Sequence, residues 1–199
     1  MTTDTPTTDG RRARGDVTRR RVAREASMIA TVSGLDSITV GSLSERTGVS
    51  KSGILTVFGS REAIQVAAVA EARRIYQEQV LAPIWSEPAG GPRLRALLRS
   101  WVAYLKAGVF PGGCFIAATS VEYGHRSGPV ADAVRRLKRE WLDLLESELA
   151  AAGSANPVDD AFRIDAYLSA GNTQDQLTRD DTWSGTERAT RLALDVIPG

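Results

Sequence analysis

The stretch VGSLSERTGVSKSGILTVF, residues 40–58, decides how the chain is read. Thr39 caps a short helix running from Val40 to Thr47, and Leu43 stands one turn into it. Gly48 supplies the permissive backbone of a turn, and Ser50 caps a second short helix over Lys51 to Phe58. Small Ser44 lets the two helices cross closely, while Val49, Ile54 and Val57 or Phe58 close an apolar underside. That order of small, glycine and aliphatic residues suits a helix-turn-helix. Two short helices around a glycine also form plain core hairpins, so the neighbouring sequence decides between the two readings.

Helical periodicity extends in both directions from this stretch, and strand-like alternation is confined to fragments such as Ser37 to Val40. Upstream, Val22, Ala26 and Ile29 predict a helix from about Asp16 to Ser33, stopped by Gly34, and Met1 to Gly10 has almost nothing apolar to bury. Downstream, Ser60 opens a fourth helix through Ile64, Ala68 and Ile75 toward Leu81, followed by a loop from Pro83 to Pro92. A fifth helix carries Leu94 to Leu105 and ends near Gly108, and a short sixth spans Cys114 to Tyr123. A seventh runs from Pro129 to about Ala152, and Pro157 to Thr178 and Ser184 to Val196 complete the set. The expected fold is all-α with about nine helices. It divides into a disordered arm (1–15), a helix-turn-helix domain (16–62) and a larger carboxy-terminal domain (63–199).

The 199 residues carry 25 Lys and Arg against 24 Asp and Glu, a net charge of +1, which excludes a uniformly basic coating for nucleic acid or membrane. The charge is local instead. Seven arginines between Arg11 and Arg24, Arg19 and Arg20 among them, face the single Asp16, a balance of +6. Such a run is either an anion-binding arm or a solvated helix face. With the motif's underside buried, Lys51, Ser52, Gly53 and Thr56 turn outward beside Ser50; small residues admit a helix to a major groove, where Lys, Ser and Thr meet bases or phosphates. Arg61 follows where a flanking phosphate would lie.

Residues from about Val17 to Ala70 resemble the TetR family of transcriptional regulators. The resemblance rests on Thr39-Val40 opening a helix, on the run Gly48, Val49, Ser50 and Lys51, on Phe58, and on the following GSREAI, residues 59–64. It implies that Thr39 and Val40 contact the DNA backbone, that Lys51, Ser52, Gly53, Leu55 and Thr56 face bases or phosphates, and that Arg61 holds a phosphate. The family commonly has Tyr at Leu55 and an aromatic residue or His at Thr56 or Val57. The lost phenolic contact leaves the basic arm to compensate through the adjacent minor groove. The resemblance further implies a homodimer closed by the last two helices, a double-stranded operator as partner and a small-molecule effector in the carboxy-terminal domain.

An aromatic concentration supplies candidates for the effector site: Trp101, Tyr104, Phe110, Cys114, Phe115, Tyr123 and Trp141, with Thr119, Glu122 and His125 as polar groups. Taken singly, each aromatic reads as core, and only the cluster points to a ligand. One histidine and one cysteine leave no parts for a metal cluster or an internal disulfide, and no phosphate loop or nucleophile elbow occurs, so neither cofactor nor metal is expected. No run approaches the length of a membrane span, and the reading is a cytoplasmic regulator, a repressor by what the resemblance implies, rather than an enzyme. The competing reading is an all-α ligand-binding or adaptor protein, or an enzyme, that never engages DNA.

Overall fold

The computed structural model describes residues 8–179 and 182–198. Nine α-helices make up the fold among them: α1 (Thr8–Ser33), α2 (Val40–Thr47), α3 (Lys51–Phe58), α4 (Arg61–Tyr76), α5 (Gly91–Lys106), α6 (Phe115–Tyr123), α7 (Pro129–Ala151), α8 (Pro157–Thr178) and α9 (Ser184–Leu194). No strand occurs among the described residues, and Ser37 to Val40, which alternates like one, follows a 3₁₀ turn over Leu35–Ser37. Two boundaries depart from the sequence reading. Helix α1 begins at Thr8 rather than Asp16, so residues 8–15 of the expected disordered arm are helical, while residues 1–7 lie outside the described set. The loop expected from Pro83 to Pro92 is shortened at both ends, by a 3₁₀ turn at Ala82–Ile84 and by α5 starting at Gly91.

The helix starts follow from their caps. Thr39 Oγ1 accepts the Ser42 N–H at 3.0 Å, and the Ser42 hydroxyl faces the Thr39 N–H in return. Ser50 Oγ accepts from Gly53 N–H and Ser60 Oγ from Ala63 N–H, each at 3.1 Å. Gly48 ends α2 in the left-handed region, at φ 67°, where a side chain would be strained. Packed against α1 and α4, the pair α2 and α3 buries Leu43, Ile54 and Phe58.

Helix α4 leaves this head and enters the larger bundle, packing along α1 and α7. Its stripe of Ile64, Ala68, Ala72 and Ile75 is buried in one continuous core with α5, α6 and α7. At its end the backbone widens into a π turn over Gln77–Leu81. Helices α8 and α9 pack closely on one another. They leave Phe162 at 69% and Leu177 at 80% of full exposure, with Val158 and Leu194 also open. Among the described residues no single helix is long and apolar enough to cross a membrane.

Candidate functional site

The outward face of α3 carries Lys51, Ser52, Leu55 and Thr56, all exposed, with Gly53 half-buried between them. Thr39 and Ser50 are exposed beside it, and Val40 is half-buried. The hydroxyls are partly occupied: Thr56 Oγ1 donates to Ser52 O at 2.8 Å, and Ser50 Oγ lies 3.2 Å from Ser52 Oγ. Their remaining lone pairs face solvent, as does the ammonium of Lys51. The amino terminus of α2, with its unpaired backbone N–H groups, opens close by and attracts anions.

The arginines divide by role. Arg19 Nη2 donates to Val57 O at 2.7 Å and its guanidinium stacks over Phe58, 4.9 Å from the ring centre. It therefore ties α1 to the end of α3. Arg20 is exposed beside the groove between α1 and α4. Arg61 donates Nε to Ile38 O at 2.9 Å and Nη2 to Asp36 O, fixing the loop that leads into α2 while its outer edge stays exposed. The side chains of Arg11, Arg12 and Arg14 lie outside the described residues.

That loop is also where the head meets the larger domain. Glu122, near the end of α6, accepts the N–H groups of Leu35 at 2.8 Å and Asp36 at 3.0 Å. Tyr123 Oη donates to Asp36 Oδ1 at 2.7 Å, and Arg126 pairs with Asp36 Oδ2 while lying over the Tyr123 ring. From α4, Gln65 Nε2 donates to Leu35 O at 2.9 Å. Hydrogen bonds from Arg126 and Tyr123 hold the Asp36 carboxyl below its ordinary value. Burial, and then the Asp36 bond, push the Tyr123 phenol up to about 12. Glu122 and Tyr123, expected to serve a ligand, belong to this junction.

The aromatic concentration does form a cluster. Tyr76 meets Tyr104 at 5.8 Å and Trp141 at 5.9 Å, both edge-on, and Tyr104 leads to Phe110 and on to Phe115. Only part of it lines open space. A narrow inner crevice of about 20 Å³ is bounded by Tyr76, Trp101, Cys114, Trp141, Lys138 and Asp165. It shares Tyr76, Ile116 and Trp141 with a wider outer crevice of about 290 Å³, which reaches Gln77 and Leu81 of the π turn and exposed Trp85. Of the predicted set, Trp101, Cys114 and Trp141 face this space, whereas Tyr104, Phe110 and Phe115 are buried in the core beside it. Thr119 is fully buried and returns its hydroxyl to Phe115 O, and His125 is exposed.

Sequence reasoning missed Tyr76, Lys138 and Asp165. Lys138 Nζ lies 2.6 Å from both Asp165 oxygens, and Trp141 Nε1 donates to Asp165 Oδ1 at 2.9 Å. The signal available was the three-residue spacing of Lys138 and Trp141, which puts both on one face of α7. Burial pushes the Cys114 thiol up, although N–H groups of Ala117, Ile116 and Trp101 oppose it, so the protonated form is favoured. Among the described residues no group of three or more His, Cys, Asp or Glu side chains is placed to hold a metal ion.

Residues 90–191 match the family model described as "Tetracyclin repressor-like, C-terminal domain". No curated protein matches the chain in sequence. The fold is similar to that of a TetR-family transcriptional regulator from Streptomyces coelicolor, with a TM-score of 0.79 and 23% identity over 91% of this chain and 94% of the other. It is similar to a TetR transcriptional regulator from Chloroflexus aurantiacus J-10-FL at a TM-score of 0.82, with 21% identity over 92% and 95% of the two chains. A third similar structure is AibR in complex with isovaleryl coenzyme A and operator DNA, at a TM-score of 0.68 and 15% identity, covering 90% and 97%.

Proposed function

The chain belongs to the TetR family of transcriptional regulators, and from that premise we propose that it is a cytoplasmic, homodimeric repressor, released from a pseudo-palindromic operator by a small molecule. It is a binding protein and not an enzyme. The single observation that carries the reading is the division of α3, with Ile54 and Phe58 buried while Lys51, Ser52, Leu55 and Thr56 are exposed together. That face is narrow and small enough to enter a major groove, with Lys51 as its one cation. The open apolar side chains of α8 and α9 supply the surface on which a second copy packs, and the dimer sets its two reading helices roughly 34–36 Å apart on the operator.

The ligand is held in the crevice between α4, α6, α7 and α8, where Tyr76 immediately precedes the π turn. Helix α4 carries Tyr76 at this end and Arg61 and Gln65 at the other, and the latter two grip the loop before α2. A ligand that binds better when α4 is displaced therefore shifts the population toward a spacing the operator does not fit, by no more than its difference in affinity for the two states. AibR, whose fold is similar, was captured with isovaleryl coenzyme A and operator DNA, which supports a fold that takes both a small molecule and a duplex.

The test is duplex selection from a random library with the purified protein, followed by anisotropy titrations at several salt concentrations. Lys51→Ala is expected to weaken the selected site about 5- to 100-fold and to relax base preference. Arg61→Ala is expected to weaken all duplexes alike and to flatten the salt dependence by about one unit of slope. Wild-type binding by both variants would overturn the assignment of this face.

A further inference from the structure

We propose that the effector crevice selects an uncharged, flat aromatic molecule with one hydrogen-bonding group, anchored at Tyr76 Oη; this rests on the crevice being the effector site. The first ground is charge. The formal charges that line the two connected compartments are Lys138, Asp165, Arg73 and Glu140, and they cancel in pairs. Lys138 sits on both Asp165 oxygens at 2.6 Å, and Arg73 Nε lies 2.5 Å from Glu140 Oε2. Trp141 Nε1 further satisfies Asp165. An ionic ligand entering here loses its hydration with no free counter-charge to meet, or strands one member of a pair.

The second ground is the inventory of spare polar groups. Tyr76 is more than nine-tenths buried, lines both compartments, and its hydroxyl has no hydrogen-bond partner among the described residues. Burial pushes its phenol well above the ordinary value, so the group stays a neutral donor and acceptor. Ser169, on the inner wall, likewise has an uncommitted hydroxyl. Neither hydroxyl is sealed from solvent, and a ligand that pairs with either takes the place of a water. The remaining walls are apolar or aromatic, with Trp101, Trp141, Ile116 and Leu168 prominent. The inner compartment, about 20 Å³, holds about one water, so the ring lies in the outer crevice, whose roughly 290 Å³ between Tyr76, Trp85 and Trp141 admits about two fused rings, at the lower end of ligand pockets.

The experiment uses the full chain and three probes built on one ring system: 2-naphthylmethanol, 2-naphthoate and 2-naphthylmethylammonium, titrated calorimetrically at pH 7. The alcohol is expected to bind at least about tenfold more tightly than either ion. Tyr76→Phe, which keeps the ring contacts, is expected to weaken the alcohol about 5- to 10-fold. Leu144→Trp, which fills the outer crevice from α7, is expected to abolish its binding. Tighter binding of an ion that Leu144→Trp abolishes overturns the ligand class and retains the crevice as the effector site. Binding of no probe, or binding that Leu144→Trp leaves unchanged in a variant with wild-type melting, overturns both.

Discussion

Replacing Glu122 by alanine removes the two acceptors that α6 presents to the loop before the reading motif. The two bonds are not equal. Leu35 is fully buried, so its N–H has no water to turn to, and leaving a buried donor unpaired costs about 1–3 kcal/mol. Asp36 is exposed, and water replaces most of what its N–H loses, for about 0.5 kcal/mol. The sum, about 1.5–3.5 kcal/mol, corresponds to a melting point roughly 3–14 °C lower for a chain of this size. Glu122→Gln keeps the shape and one acceptor and should fall about halfway. The assay is thermal unfolding followed by helical circular dichroism at fixed protein concentration, since a dimer's midpoint depends on it. Gly34 gives an independent check: at φ 86° and with Glu122 Oε1 only 2.9 Å from where its Cβ would be, Gly34→Ala should disturb the same contact. A Glu122→Ala midpoint within about 1 °C of wild type would falsify the view that this carboxylate holds head to body.

Acid should release the same junction in a defined window. Because the Asp36 carboxyl is held below its ordinary value of 3.8, its contribution is complete above that value and is lost as pH falls through the lower folded one. Urea midpoints should therefore show a stabilising contribution of Asp36 from pH 7 to 5 that fades below about pH 4, with the acid-side slope reduced in Asp36→Asn. Cys114, buried and held protonated, should react with iodoacetamide at pH 8 about a hundredfold more slowly in the native protein than in guanidinium, and comparable rates would show an open thiol. Phe162→Glu and Leu177→Glu should each shift the assembly toward monomer in light scattering, since a buried Phe or Leu contributes about 1.5–3 kcal/mol and symmetry counts it twice. Undisturbed dimers in both would move the interface off α8.

The head was legible because its signals are local. Caps at Thr39, Ser50 and Ser60 and the turn at Gly48 act within four residues, and they locate α2 and α3 to the residue. The start of α1 was not legible, because Thr, Asp and Gly at residues 8–10 give no apolar stripe and their helicity follows from continuing the helix behind them. The crevice was half legible. Aromatic clustering brought out Trp101, Cys114 and Trp141, but which rings face open space depends on how α4 and α8 lie against them, and no periodicity carries that. Glu122 illustrates the gap: its partners are 86 and 87 residues away, so only the folded chain reveals a capping carboxylate where the sequence offers a polar side chain near aromatics.

The π turn at Gln77–Leu81 has a consequence for length variation in this segment. It holds one residue more than a regular helix, and at 3.6 residues per turn that residue advances everything after it by about 100°. Deleting a single residue there would give the chain a straighter, better-bonded rod. It would also rotate Val80 and Ile84, now buried, out of register with the core they fill. The tolerance of this connector to insertion and deletion is thus governed by angular phase rather than by span, and a shorter chain would be sounder locally while fitting its surroundings less well.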